Sequence, residues 1–198
     1  MSGPRFRPGV VLLAALSLLL AGCASGGYTA RPGTPASTPP AASGPLEPCP
    51  AQPATPARGA TTLPKLAFHC SGGGSLDLGR APGVPTLVNL WGSWCAPCRE
   101  ELPILQKLAD QAGNRVRVLG VISKDGMPQA NSFASDAGVT FPSAVDGEGR
   151  LMAAVGINVL PYTYFLDAHG GLAYTQVGPV SSLAQLKTLV GQHLGVRL

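Results

Sequence analysis

The chain has 198 residues, of which Gly (26) and Pro (20) make up nearly a quarter, while only 12% are charged. That length suits a single domain, and so little charge excludes a charge-solvated disordered chain, a coiled coil or a nucleic-acid tail. The formal charge of +4 shrinks once Arg5 and Arg7 are set aside as part of a leader, leaving 12 basic against 10 acidic residues and no basic run to hold DNA or RNA.

The first element is an apolar run of 12 residues, Val10 to Ala21. It is too short to span a bilayer, which needs roughly 20. Arg5 and Arg7 precede it, and Ala21, Gly22 and Ala24 follow it. A basic start, a short apolar stretch and a small-residue exit describe a secretory signal. The alternative, a buried helix with a basic start, conflicts with the Gly/Ser/Pro-rich stretch that comes next. The exit, Leu20-Ala21-Gly22-Cys23, resembles the lipobox of bacterial lipoproteins. That resemblance implies a signal peptide over residues 1–22, cleavage before Cys23 and a diacylglyceryl group on its sulfur. The mature protein would then lie on the outer face of a membrane, anchored by its acyl chains. Residues 24–60 hold nine Pro and five Gly with almost no large apolar side chains. So little apolar surface does not offset the entropy of ordering, and residues 23–60 are expected to form a lipidated tether.

Five cysteines, Cys23, Cys49, Cys70, Cys95 and Cys98, are an odd count for an exported chain. Lipidation of Cys23 leaves four, and Cys95 with Cys98 forms a C-x-x-C pair. Cys49 and Cys70 then either bridge, as an oxidising compartment favours, or stay as two separate thiols. A zinc ribbon needs a second knuckle that the sequence lacks, so no metal is expected.

From Thr61 the texture changes. Residues 66–69 and 75–78 flank Gly72-Gly73-Gly74 and read as a hairpin. Residues 85–91 (PTLVNLW) form a strand buried on both faces. A helix is expected from about Cys95 to Ala112, ended by Gly113-Asn114. A second buried strand covers residues 116–122, a modest helix 128–137 and a helical turn 151–155. The strand at 162–166, the turn at 167–171 and the strand at 172–177 make a hairpin. A closing helix, 183–194, carries Leu183, Leu186, Leu189, Val190 and Leu194 on one face. Alternating strands and helices with a terminal hairpin mean an α/β domain, residues 61–198, with a mixed central sheet flanked by helices.

The C-x-x-C follows a buried strand and opens a helix, which is the context of a redox pair rather than a metal knuckle. Two intervening residues let both sulfurs lie in the first helical turn. Cys95 takes the helix N-terminus, where free N–H groups and the dipole favour the attacking thiolate. Pro97 stands early in the helix, where its missing N–H costs least.

These residues resemble the thioredoxin superfamily, and within it the membrane-tethered TlpA/ResA-type thiol–disulfide oxidoreductases. The resemblance covers about Leu63 to the C-terminus. It rests on WCAPC after an apolar strand, Pro103 inside the following helix, and Leu160-Pro161 before Tyr162–Asp167. The stretch from Lys124 to Val159, with Phe141-Pro142 and Val145-Asp146, is similar to the central insertion of that class. It implies a thioredoxin fold with an N-terminal β-hairpin, with Cys95 as nucleophile, Cys98 as resolving thiol and Pro161 in cis facing them. The Leu160 backbone would pair with a substrate strand, and Trp94, Ala96 and Pro97 would line the substrate side, although Trp91 and Trp94 read equally as core. Asn89 stands where cytoplasmic thioredoxins carry a buried acid. Glu101 occupies the position of the acid in the TlpA type and would carry the Cys98 proton; Glu100 reads as an ordinary first-turn acid. The three histidines, His69, His169 and His193, read as solvated.

The implied function is disulfide reduction in exported proteins, apocytochrome c among them. A membrane thiol reductase would supply electrons, the Cys95–Cys98 disulfide would be the redox centre with no other cofactor, and the protein would be a monomer. Two other functions compete: a disulfide-forming oxidase, and a non-catalytic metal-delivery lipoprotein on the same scaffold.

Overall fold

The computed structural model describes residues 44–198. The expected signal peptide, Cys23 and the first part of the tether lie outside the described residues. The elements run β1 (Ala67–His69), β2 (Ser75–Asp77), β3 (Thr86–Trp91), α1 (Ala96–Ala112), β4 (Arg117–Ser123), α2 (Met127–Asp136), β5 (Ser143–Asp146), α3 (Arg150–Ala154), β6 (Tyr162–Leu166), β7 (Leu172–Val177) and α4 (Leu183–Leu194). Five strands form one sheet in the order β5-β4-β3-β6-β7, and β1 and β2 form a separate antiparallel hairpin. β3 pairs parallel with β4 and antiparallel with β6. This is the mixed α/β thioredoxin fold with its N-terminal hairpin.

Alternation along the central strands divides the core. Leu87, Trp91, Val118, Ile122 and Phe165 join Leu102, Leu105 and Leu108 of α1 and Leu186 and Val190 of α4 on one face. Val88, Leu90, Leu119, Val121, Tyr164 and Leu166 pack with Phe68 and Leu76 of the hairpin and Leu151 and Met152 of α3 on the other. Every residue of β3 is buried, which explains its unbroken apolar run in a strand covered on both sides. Asn89 falls between Leu87 and Trp91 in that alternation and therefore faces α1.

Two expectations change. Ser143–Asp146 is an edge strand, parallel to β4, that periodicity did not reveal. Part of the segment expected as tether, from about residue 45 to residue 60, lies on the domain instead. Leu46 is buried at 3% exposure. The Glu47 N–H donates to the Thr140 carbonyl (2.8 Å), Cys49 N–H to Gly73 (2.9 Å), Ala57 N–H to Gly79 (2.8 Å) and Arg58 N–H to His169 (2.9 Å). The Gln52 amide exchanges two hydrogen bonds with the Asp77 backbone, at 3.0 and 2.7 Å. Prolines restrict the unfolded chain, so ordering this segment costs less entropy than its composition suggests. The turn facing it is glycine for a steric reason: a Cβ at Gly72 would collide with the Leu46 and Glu47 backbone, and one at Gly74 would sit 2.7 Å from the Cys49 carbonyl. The structure joins Cys49 to Cys70 by a disulfide with Cα atoms 5.8 Å apart.

Candidate active site

β3 delivers the chain to α1 through Gly92-Ser93-Trp94. Cys95 is the N-cap of α1, and its Sγ accepts the Cys98 N–H at 3.3 Å. The two cysteines form a disulfide with Cα atoms 5.3 Å apart. Cys95 keeps 4% exposure and Cys98 none, so the first sulfur is the one nearer solvent. An N–H aimed at a sulfur at a helix N-terminus stabilises a thiolate there.

The loop before the pair is held from β4. The Asp125 carboxylate accepts the Ser93 N–H at 2.6 Å and the Gly126 N–H at 2.8 Å. The Trp94 indole donates to the Ser123 carbonyl at 3.3 Å. It folds back over Gly92, where a Cβ would lie 2.6 Å from its Nε1; a side chain there would displace the indole. Arg99 lies over the Phe133 ring, 4.7 Å from its centroid.

Pro161 is buried and joined to Leu160 by a cis peptide bond. Its carbonyl accepts the Gly178 N–H at 3.0 Å, which ties it to the end of β7. Leu160 is half-buried, and its backbone enters no hydrogen bond among the described residues. Trp94, Val159 and Val177 are exposed by 53%, 58% and 60%, the large apolar side chains most open to solvent among the described residues. Trp94 adjoins Cys95, Val159 precedes Leu160, and Val177 stands opposite Tyr162. Trp94 thus stands beside the pair, and Val159 and Val177 lie at the end of the sheet where the cis-proline segment enters β6. Ala96 is exposed and Pro97 half-buried in the first turn of α1.

Beneath the pair, Glu101 is fully buried while Glu100 is exposed. The Glu101 carboxylate accepts the Asn89 Nδ2–H at 2.7 Å on Oε1 and the Val180 N–H at 3.0 Å on Oε2. Asn89 Nδ2 also donates to Thr163 Oγ1 at 2.9 Å. Burial pushes the Glu101 pKa up to about 7, against the two hydrogen bonds, which favour the anion. Three positions on one helical turn separate Glu101 from Cys98, so the two share a face.

Among the described residues, no group of three or more His, Cys, Asp and Glu could hold a metal ion. His69 and His169 are exposed, whereas His193 stacks on Tyr174 with ring centroids 3.9 Å apart. The sequence reading did not single out Asp125, Thr163, Val180, Val159 or Val177. A carboxylate just past a buried strand hinted at Asp125; the others depend on contacts across the sheet.

The redoxin family profile matches residues 57–190. The thiol:disulfide interchange protein DsbE of Vibrio cholerae is 35% identical over 108 residues, covering 54% of this chain and 57% of that protein. The thioredoxin-like protein YneN of Bacillus subtilis is 30% identical over 121 residues, covering 60% of this chain and 71% of its own. The chain spans little more than half the length of the DsbE-type relatives it matches. Among solved structures, StoA from Bacillus subtilis aligns with a TM-score of 0.55 at 26% identity, over 63% of this chain and 96% of that one. A DsbF homologue from Corynebacterium diphtheriae aligns with a TM-score of 0.59 at 23% identity, over 74% and 99%. The profile spans about two thirds of the chain, including the strand, the cysteine pair and the cis-proline segment just described, and the chain belongs to the redoxin family, related to the DsbE-type thiol–disulfide oxidoreductases.

Proposed function

We propose that the protein exchanges thiols and disulfides with exported proteins through Cys95 and Cys98, working as a disulfide reductase. The observation that carries this reading is the cysteine pair on the first turn of α1, with the Cys98 N–H on the Cys95 sulfur. In the reduced protein the Cys95 thiolate attacks a substrate disulfide. A Cys95–substrate disulfide forms and one substrate sulfur leaves as a thiolate. Cys98 then loses its proton to Glu101 and attacks the Cys95 sulfur. The Cys95–Cys98 disulfide closes, and the second substrate sulfur leaves and is protonated. Two electrons have passed to the substrate, and a membrane thiol reductase returns the pair to the dithiol.

The free Leu160 backbone suits an incoming extended strand. Trp94, Ala96 and Pro97 would contact it on the cysteine side. Apocytochrome c, with paired cysteines at its haem site, is the substrate suggested by the resemblance to the TlpA class. The Leu20–Cys23 sequence supports a lipid anchor at Cys23 and a place on the outer face of the cell membrane. Cys23→Ser should then release the protein from membranes washed with high salt, and undiminished retention would refute the anchor.

Trapping tests the chemistry. Cys98→Ser should accumulate substrates disulfide-linked to Cys95, and Cys95→Ser should accumulate few. A reversed pattern inverts the two roles. Reduction potentials in this superfamily run from about −270 to −120 mV. A value near the lower end supports the reductase; one near the upper end would make the protein an oxidase with the same site.

A further inference from the structure

The Glu101 carboxylate is held by two donors of different kinds. On Oε1 it accepts from Asn89 Nδ2 at 2.7 Å, a side chain in the middle of the fully buried strand β3. On Oε2 it accepts the Val180 N–H at 3.0 Å, and Val180 lies in the connection between β7 and α4. Earlier in that connection the Gly178 N–H donates to the Pro161 carbonyl at 3.0 Å. Gly178 turns the chain out of β7 at a φ of 78°, and Pro179 between the two is exposed. One short run of main chain, Gly178–Val180, is therefore bonded to the proton carrier at one end and to the cis-proline segment at the other. We propose that this run couples the two: ionised Glu101 holds the cis-proline segment in place for the substrate strand, and Glu101 that has taken the Cys98 proton lets the strand go. The proposal deepens the reading of Glu101 as carrier of the Cys98 proton and rests on it.

An ionised carboxylate offers about four lone-pair sites. Each oxygen uses one of its own here, so the incoming proton takes a free site and evicts neither donor. It removes the charge, however, and hydrogen bonds to a charged group are roughly twice as strong as neutral ones. Both bonds weaken, with unequal consequences. Asn89 is fixed by the ladders of β3 with β4 and β6, and it keeps its second bond, to Thr163 Oγ1 at 2.9 Å. The Val180 N–H has no other acceptor among the described residues and lies outside the ladders. Its side chain is buried and keeps its place. The change falls on the main chain leading back to Gly178, and so on the bond to Pro161. Leu160, next to Pro161, carries the backbone left free for a substrate.

The groups facing the carboxyl are Asn89 from β3, with Thr163 of β6 behind it, the Val180 N–H before α4, and Cys98 from its own helix. No salt bridge reaches it among the described residues. Of these groups only Cys98 titrates, and in the oxidised protein it does not. Coupling of this kind is reciprocal. If protonation of Glu101 weakens strand binding about tenfold, a bound strand lowers the Glu101 pKa by about one unit. The reaction uses both directions. While the strand is bound, Glu101 stays ionised and ready for the Cys98 proton. Once it holds that proton, the Cys95–Cys98 disulfide closes and the segment loosens as the second substrate sulfur leaves.

The test uses the full chain in mild detergent. In the oxidised protein, NMR follows the Glu101 carboxyl carbon, the Val180 amide proton and the solvent protection of the Gly178 N–H across neutral pH. The expected result is one shared midpoint, with Gly178 protection falling below it. In Glu101→Gln the Val180 and Gly178 signals should be independent of pH. A Cys98→Ala chain is then capped at Cys95 by a methylthio group or, through a disulfide, by a short uncharged peptide, blocked at both ends, with one cysteine between valines. The peptide should lower the Glu101 midpoint by about one unit relative to the methylthio cap. Burial under a bound peptide acts the other way, so a raised midpoint overturns the proposal. If the carboxyl carbon titrates and Val180 follows while Gly178 protection and the midpoint under the peptide stay fixed, the coupling is refuted with the Glu101 reading intact. If the carboxyl carbon does not titrate across neutral pH, both fail. Pro179→Gly slackens the run. It should leave the midpoint of the methylthio-capped chain unchanged and shrink the effect of the peptide; an undiminished effect would route the coupling elsewhere and count against this connection.

Discussion

Glu101 couples the chemistry of one residue to the stability of the molecule. Its pKa is about 7 in the fold against an ordinary 4.5, with burial as the main cause. Below pH 4.5 the carboxyl is protonated in both states, and burial of its charge costs nothing. Between about 4.5 and 7 the unfolded chain ionises freely while the folded protein holds the proton, so folding stability declines as pH rises through that window. The full decline from this one group is on the order of 3 kcal/mol. Glu101→Gln, a neutral side chain of nearly the same shape, should flatten that slope, as denaturant unfolding at pH 5 and at pH 8 would measure. The same variant should slow the second exchange step near neutral pH and leave the first attack unchanged. An unaltered slope would mean that the carboxyl is not held protonated by the fold.

At the scale of elements, the redox loop depends on β4 as much as on its own helix. Asp125, just past β4, holds the Ser93 and Gly126 N–H groups, and hydrogen bonds to a charged group contribute about 1.5–3 kcal/mol. Asp125→Ala should cost roughly 1–2 kcal/mol in denaturant unfolding and speed alkylation of reduced Cys95, because the loop preceding it loses its anchor. Asp125→Asn, which keeps one acceptor, should give a smaller change of the same sign. Sequence patterns reached some elements and missed others for physical reasons. β3 and β4 were legible because strands covered on both faces need continuous apolar runs, and α1 because Leu102, Leu105 and Leu108 fall at helical spacing. β5 was not, being four residues between Pro142 and Gly147 with too short a pattern to show periodicity. Its Asp146 is buried at 2% exposure and caps α3 by accepting the Arg150 and Leu151 N–H groups at 2.8 and 2.9 Å, a role visible only once the strand is placed. The cysteine pair was legible from its spacing after a buried strand. Glu101 followed from its distance to Cys98 and the family resemblance. Thr163 was not legible, because its partnership with Asn89 joins residues 74 positions apart. Val159 and Val177 share one end of the sheet only once β6 and β7 are paired.

At the scale of the whole molecule, the N-terminal segment is the part whose composition misleads. Its prolines and small residues read as a spacer, yet from residue 45 it is laced to the hairpin, to the β6–β7 turn and to the loop before β5 by main-chain hydrogen bonds. Three contributions should therefore vanish from a chain that begins at residue 61. Burial of Leu46 contributes roughly 1.5–3 kcal/mol. The Cys49–Cys70 bridge closes a loop of about 22 residues, for roughly 3 kcal/mol on the chain-entropy model. The backbone bonds add to these, less the entropy recovered by freeing the segment. A chain starting at residue 44 should thus resist denaturant by about 3 kcal/mol more than one starting at 61, and Cys49→Ser with Cys70→Ser in the longer chain should lose a large part of that difference. The hydrogen bonds of the segment reach Gly73, Asp77, Gly79, Ala81, Thr140 and His169, none of them a residue of the redox site. Its removal should accordingly leave the potential of the cysteine pair unchanged while the unfolding midpoint drops. Equal midpoints for the two chains would return these residues to the role of tether. A shifted potential with an unchanged midpoint would instead mean that the segment acts on the redox site through the sheet.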